Sequence, residues 1–218
     1  MEQTNATIGS DLEPAAEALR QMGCPSRIFA QTESTNDDAR SWAIDGAPHG
    51  SVVLADTQSR GRGRMGRSWS CPSGTTLSFS MVLRPAVEPG ELSKLALVVG
   101  LATRSVLASR LPGHLQAGLK WPNDIVVYEP ASTTRPYRKI AGILLEGALS
   151  GTTVAYVVAG IGINVLRDSF PDELEALATS LSRCGATSLN RALLAADLAS
   201  AVVDRVAAYV TQPAAVAE

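Results

Sequence analysis

The chain has 218 residues, of which 45% are hydrophobic and 18% charged, with a formal net charge of −2. That is enough for one globular domain with a real core, and it excludes a generally basic nucleic-acid binder, whose charge would be strongly positive. Cys24, Cys71 and Cys184 are odd in number, widely spaced and lack a C-x-x-C pair, so they form neither a disulfide framework nor a zinc site and suit a reducing cytosol.

Residues 1–10 are polar and are expected to fray. Residues 11–22 read as a short helix, with Leu12, Ala15, Ala16 and Leu19 on one face and Gly23 as the stop. Residues 26–31 form a strand. A second helix runs through Ala39, Trp42 and Ala43 to Asp45 and is ended by Gly46. Ser34 and Asp37 predict an N-cap and an acidic first turn, which alone would account for both. Thr35 and Asn36, exposed on this reading, are also candidates for ligand contact.

Residues 51–57 are an apolar strand, through Val52, Val53 and Leu54, that delivers Gln58 into the sequence Q-S-R-G-R-G-R-M-G-R-S-W over residues 58–69. Here Arg60, Arg62, Arg64 and Arg67 interleave with Gly61, Gly63 and Gly66. Glycine lets backbone N–H groups approach a ligand, and arginine presents a planar, permanently charged fork that matches phosphate or carboxylate oxygens. A single short copy between two strands predicts a loop that closes over an anion and is mobile without it, since four like charges and three glycines have little reason to order alone. No Gly-Lys-Ser/Thr follows, so this is not a Walker loop.

Residues 75–83 alternate, with Leu77, Phe79, Met81 and Leu83 opposed to Thr76, Ser78 and Ser80, which implies a sheet with one face on the core and the other more polar. Apolar residues at helical spacing from Leu92 to Leu107 predict a long amphipathic helix over residues 91–111. Residues 115–128 read as a broken strand, interrupted by Pro122-Asn123-Asp124, and residues 129–138 as a hairpin loop. Two further strands cover residues 139–149 and 152–165; the second is apolar on both faces and therefore central. A last helix over residues 189–209 turns Leu194, Leu198, Val202, Val206 and Tyr209 inward, and the tail after Pro213 is expected to be loose. Hairpin-length connections make the sheet mixed and largely antiparallel, in an α/β (α+β) domain flanked by helices. With no basic and apolar leader and no apolar run of roughly 18 residues, a soluble, cytoplasmic protein without membrane contact is expected.

His49 and His114 lack acidic partners in sequence, and no metal-ligand spacing from protein side chains is present. Lys120, on a half-buried strand, must face solvent or an anion, because burying it unpaired costs several kcal/mol. Trp69 and Trp121 are each better read as core than as pocket walls. Glycines within residues 139–146 and 160–165 mark bulges or places where a ligand lies against the backbone. Together these features predict an apolar small molecule on the sheet, its charged end beneath the arginine loop and Lys120.

Ser34-Thr35-Asn36, Gln58 with the G-R-G-R-M-G-R-S-W run, K-W-P-N-D over residues 120–124, K-I-A-G-I-L-L-E over residues 139–146 and G-I-G-I-N over residues 160–164 resemble the biotin protein ligases, in the order of that family. The resemblance covers residues 26–165 and, more weakly, the last helix. It implies a catalytic domain of the biotin/lipoate ligase type, class II synthetase-like, over residues 11–211, with flexible ends at 1–10 and 212–218. It also implies formation of biotinyl-5′-AMP from biotin and Mg²⁺-ATP, then transfer to a lysine of the biotin carboxyl carrier domain of acetyl-CoA carboxylase or a related carboxylase.

By position, Ser34, Thr35, Asn36, Gln58, Arg62, Gly63, Arg64, Lys120 and Gly142 would bind biotin. Arg62, Arg64, Arg67, Lys120, Asn123 and Asn164 would bind ATP or its phosphates, with Arg64 and Lys120 catalytic. Arg60 stands where the family more often has a small residue and is unassigned. There is no room before residue 26 for a DNA-binding helix-turn-helix, so a repressor function and nucleic-acid binding are not expected; the short C-terminus is expected to lack a complete small β domain, which in many bacterial members helps bind ATP and the carrier. Homodimerisation through a sheet edge is common in the family. The rival readings are a lipoate or octanoate ligase or transferase of the same superfamily, a non-catalytic biotin-binding protein and an RNA-binding module.

Overall fold

A computed structural model describes residues 11–129 and 136–212. Its strands are β1 (Ser26–Thr32), β2 (Ser51–Gln58), β3 (Thr76–Leu83), β4 (Gln116–Lys120), β5 (Asp124–Tyr128), β6 (Tyr137–Ser150) and β7 (Thr153–Asn164). Its α-helices are α1 (Ala15–Gln21), α2 (Thr35–Ile44), α3 (Leu92–Ala108), the single turn α4 (Asp172–Glu175) and α5 (Arg191–Thr211). The strands form one sheet in the order β1-β2-β3-β7-β6-β5-β4. Only β1 and β2 pair in parallel, joined by the crossover helix α2; every other pairing is antiparallel. The mixed sheet and the central β7 thus follow from the strand patterns. The frayed first ten residues, the tail after Pro213 and residues 130–135 of the β5–β6 loop lie outside the described residues.

The two faces of the sheet are covered unequally. Leu77, Phe79, Met81 and Leu83 of β3 join the inward residues of α1, α3 and α5 in the main core. On the opposite face α2 alone packs, through Ala39 and Ala43, on Val53, Val82 and Val158. The polar face of β3 is not solvated: Ser78 and Ser80 are as buried as their apolar neighbours. Alternation identifies two faces but cannot tell water from a helix packed on the polar side.

Two sequence readings are corrected here. Residues 115–128 are a hairpin rather than one interrupted strand, with Leu119 opposite Ile125 and Lys120 opposite Asp124. A proline has no N–H for a ladder, so the apolar runs flanking it pair with each other. Trp121, at that turn, is 67% exposed and not part of the core.

Helix α1 is held by a charge cluster with no sequence signature. The Arg191 side chain, with no solvent exposure, reaches Asp11 Oδ1 and Asp56 Oδ1 at 2.6 Å each. It also donates to the Thr76 carbonyl at 3.0 Å. Asp56 accepts from Ser73 Oγ and the Gly74 N–H, so the cluster ties α1 and α5 to both ends of the arginine segment.

Candidate functional site

Where α2 leaves the sheet bare, residues without bulk line up across three strands and end at Asp124 on a fourth. Ser78 of β3 lies opposite Gly162 of β7, Gly162 opposite Gly142 of β6, and Gly142 opposite Asp124 of β5. In the neighbouring row Ser80 lies opposite Gly160. Small residues in register leave a trough, and here it belongs to a cavity of about 510 Å³, within the range of small-molecule sites.

The floor glycines hold side chains of the protein itself, a refinement of the expectation that a ligand would lie on them. A Cβ on Gly160 would fall 2.1 Å from Asn36 Oδ1, one on Gly162 2.4 Å from Trp69 Cε2, and one on Gly142 3.1 Å from Lys139 Nζ. Asn36, Trp69 and Lys139 are therefore sunk onto the sheet and form the inner wall. Trp69 is a pocket wall and not core.

The N-terminus of α2 supplies one side. Ser34 is its N-cap, yet its hydroxyl makes no capping bond; the residue is buried and lines the cavity. Gln58 Oε1 accepts from the Thr35 N–H and hydroxyl at 2.8 and 3.0 Å, and its Nε2 donates to Cys71 Sγ and Ser78 Oγ. Ser80 Oγ donates its one proton to Asn36 Oδ1 at 2.6 Å and lies 2.8 Å from Thr35 Oγ1. Three elements thus fix the orientation of each polar group facing the trough.

The arginine segment is folded. The Gly63 N–H donates to Arg67 O at 2.7 Å, the Trp69 N–H donates to Gly61 O at 2.8 Å, and Arg62 bridges to Ser68. A Cβ at Gly61 would lie 2.4 Å from Trp69 O, so only glycine fits there. Unbalanced like charge is no reason for disorder here: Arg60 pairs with Glu33 at 2.9 Å, and Arg62 with Asp37 at 2.5 Å and Glu146 at 2.9 Å. The hydrogen bond to Asp37, with the nearby Glu146, pushes the Arg62 guanidinium above its usual value. Arg64 and Arg67 are exposed, line the cavity and form no ion pair among the described residues, so they carry the uncompensated positive charge.

All of the sequence candidates line this one cavity, from Ser34 and Gln58 through Arg62, Gly63, Arg64 and Arg67 to Lys120, Asn123, Gly142 and Asn164. Their working states differ. Asn123 Nδ2 donates to Ile143 O at 2.9 Å and Asn164 Nδ2 to Thr179 O at 3.0 Å, so both amides knit the walls together. Lys120 is exposed, its Nζ 5.0 Å from the Tyr137 ring centre. The lysine held inside is Lys139, paired with Asp124 Oδ1 at 2.7 Å and 5.5 Å from the Trp69 ring centre.

Strict alternation would put Lys139 and Gly142 on opposite faces. The β5–β6 register slips, however: Val126 pairs with Lys139 and Ile125 with Ala141, leaving Ile140 as an extra residue that turns Lys139 to the Gly142 side. Residues 166–178, which carry no periodic signal, complete the rim. Arg167 is buried there without a carboxylate partner among the described residues, donating to Ser70 O and Ser169 O, with its guanidinium 4.6 Å from the Phe170 ring centre.

The trough lies on a mixed sheet, and amide and hydroxyl groups and the cations Arg64, Arg67, Lys120 and Lys139 line the same cavity. Residues 28–164 match the Biotin/lipoate A/B protein ligase family, and the chain belongs to that family. It is similar to the Bifunctional ligase/repressor BirA of Bacillus spizizenii, 37% identical over 161 residues covering 73% of this chain and 46% of that protein. It is also similar to the biotin--[acetyl-CoA-carboxylase] ligase of Mycobacterium tuberculosis, 34% identical over 174 residues covering 78% of this chain and 60% of that one. The chain spans about half the length of the curated relatives it matches.

Among solved structures, the biotin protein ligase of Aquifex aeolicus in complex with biotin and ATP superposes with a TM-score of 0.66 at 28% identity, over 86% of this chain and 72% of that one. The Leishmania major biotin protein ligase in complex with biotinyl-5-AMP gives 0.62 at 26% identity, over 86% of this chain and 75% of that one. No helix among the described residues is long and apolar enough to cross a membrane.

Proposed function

We propose that this chain is the catalytic unit, over residues 11–211, of a biotin–[carboxyl carrier protein] ligase. The observation that carries the reading is that Lys139, Arg64 and Arg67 line one cavity together with Ser34, Thr35 and Asn36. Amides and hydroxyls suit a ureido ring, the small-residue floor suits an aliphatic chain, and the cations suit a carboxylate beside phosphate. The similarity to proteins named as biotin ligases supports biotin over lipoate.

In the reaction proposed, a biotin carboxylate oxygen attacks the α-phosphorus of ATP. The bond to the bridging oxygen of the β-phosphate breaks, and pyrophosphate leaves. A lysine amine of the carrier domain of acetyl-CoA carboxylase or a related carboxylase then attacks the acyl carbon, expelling AMP and losing a proton. The protein's part is to align carboxylate and phosphate and to stabilise charge in the transition state. Lys139, held in place by Asp124, takes the carboxylate and α-phosphate role that the motif reading gave to Lys120; Lys120 adds charge at the rim. Arg64 and Arg67 face the polyphosphate, whereas Arg62, held by two carboxylates, anchors the loop. Magnesium would enter with ATP as its chelate.

The test is biotin-dependent exchange of labelled pyrophosphate into ATP, which needs no carrier protein. Lys139→Ala is expected to lower kcat about 100-fold or more and Arg64→Ala about tenfold, by removal of charge-stabilising donors. Lys120→Ala is expected to lower it less than Arg64→Ala. Exchange supported by lipoate and not by biotin overturns the assignment.

A further inference from the structure

One carboxylate beside the trough has no part in the adenylation chemistry. Glu146, on the trough side of β6, accepts from Asn36 Nδ2 at 2.7 Å and from Arg62 Nη2 at 2.9 Å through the same oxygen, Oε2. Its other oxygen lies 3.2 Å from Arg62 Nη2 and 4.0 Å from Arg40 Nη2. The second proton of Asn36 Nδ2 points to the Leu144 carbonyl at 3.5 Å.

Glu146 Oε2 and Leu144 O only accept, so turning the Asn36 amide round would set oxygen against oxygen twice. Ser80 Oγ occupies one lone pair of Asn36 Oδ1, which leaves the other as an acceptor on a residue that lines the cavity. Gly160 beneath it has no Cβ to displace it. An acceptor held this rigidly in a buried wall fits an N–H donor, which a cyclic urea has and a dithiolane ring lacks.

We propose that Glu146 is a positioning residue that sets ligand choice. It fixes the Asn36 amide so that the wall accepts a ureido N–H, and by holding Arg62 it docks the arginine loop on the same carboxylate. Loop order and Asn36 orientation therefore rise and fall together. The proposal rests on the biotin reading and adds to it the residue that enforces the preference.

The test uses the full chain as wild type, Glu146→Gln, Glu146→Ala, Asn36→Ala and the Asn36→Ala/Glu146→Ala double variant. The readouts are KM for biotin and kcat in pyrophosphate exchange, with biotin binding by calorimetry and melting curves as a fold control. Loss of a buried hydrogen-bond partner predicts a rise in KM of about tenfold for Glu146→Ala, with kcat within about threefold. Glu146→Gln keeps the shape but loses the charge and can present an N–H to Asn36, so its KM is expected to rise at least about threefold. Because Glu146 acts through Asn36, the double variant's KM should fall well short of the product of the two single effects.

If Glu146→Ala does not fold, Glu146→Gln decides. An unchanged KM in Glu146→Gln, or multiplicative effects in the double variant, overturns the proposal alone. A wild type that neither binds biotin nor supports exchange overturns the biotin reading and the proposal with it.

Discussion

At the scale of single residues, the site depends on atoms that are missing. Gly160 leaves space that Asn36 fills, and a methyl group there would sit 2.1 Å from Asn36 Oδ1. Asn36 Cγ at 2.8 Å and Nδ2 at 2.9 Å are obstructed as well, so Gly160→Ala is expected to push the whole Asn36 amide off Ser80 and Glu146. Biotin affinity should fall about tenfold or more, the cost of losing a buried hydrogen bond, while the melting temperature moves by a few degrees. Calorimetry beside a melting curve checks this; equal losses of binding and stability would mean that Gly160 serves packing. Much of the site is legible in sequence because its signals are local: interleaved Arg and Gly, Ser34-Thr35-Asn36, and the glycines of two strands. Lys139 was not legible, because a single extra residue at Ile140 reverses the face on which a period of two would place it. Trp121 was misplaced for a related reason, since composition favours a buried tryptophan and only the hairpin turn puts it in water.

At the scale of elements, apolar periodicity finds the helices and strands but not the charge cluster that ties α1 to α5. Arg191 is fully buried between Asp11 and Asp56, and removing one partner leaves carboxylates uncompensated. Arg191→Met is expected to cost about 3–5 kcal/mol at neutral pH, read by urea or thermal unfolding. The acid dependence has a definite sign. The Arg191 hydrogen bond holds Asp11 below its ordinary value of 3.8. Burial pushes Asp56 up, but bonds from Ser73 and Arg191 outweigh it and leave Asp56 below 3.8 as well. A depressed carboxylate contributes stability above its unfolded pKa that disappears as pH falls through the folded one. The gap between wild type and Arg191→Met is therefore widest near neutrality and narrows below about pH 4. A constant gap down to pH 2 would show that Arg191 acts by packing alone. An isolated arginine in sequence gives no sign of such burial, because its partners lie 180 and 135 positions away. Residues 166–178 were equally silent, with neither a period of two nor of 3.6, yet they bring Arg167 and Phe170 to the rim.

At the scale of the whole molecule, unequal cover on the sheet explains both the site and how a ligand should act on stability. One face is sealed by α1, α3 and α5, while the other carries α2 alone and exposes the trough between α2 and the arginine segment. A ligand seated there would touch β3, β5, β6, β7, α2 and the loop together, and none of these contacts survives unfolding. Ligand bound only to the folded state stabilises it by RT ln(1 + [L]/Kd), about 2.7 kcal/mol at 100 times Kd. For a domain of this size that corresponds to a rise in melting temperature of roughly 5–10 °C. On the proposed reading biotin should produce this shift and lipoate should not, because the acceptor at Asn36 suits a ureido N–H and a dithiolane ring has no donor for it. ATP with biotin should raise it further, since on the proposed reading an adenylate would engage Lys139, Arg64 and Arg67 as well. With a net charge of −2 the positive charge of the site is local, so the shift produced by a compact anion there should depend weakly on salt. Affinity for RNA would instead fall steeply as salt rises. A melting shift with RNA that vanishes between 50 and 200 mM salt, with none from biotin, would overturn the site's assignment to a small carboxylate.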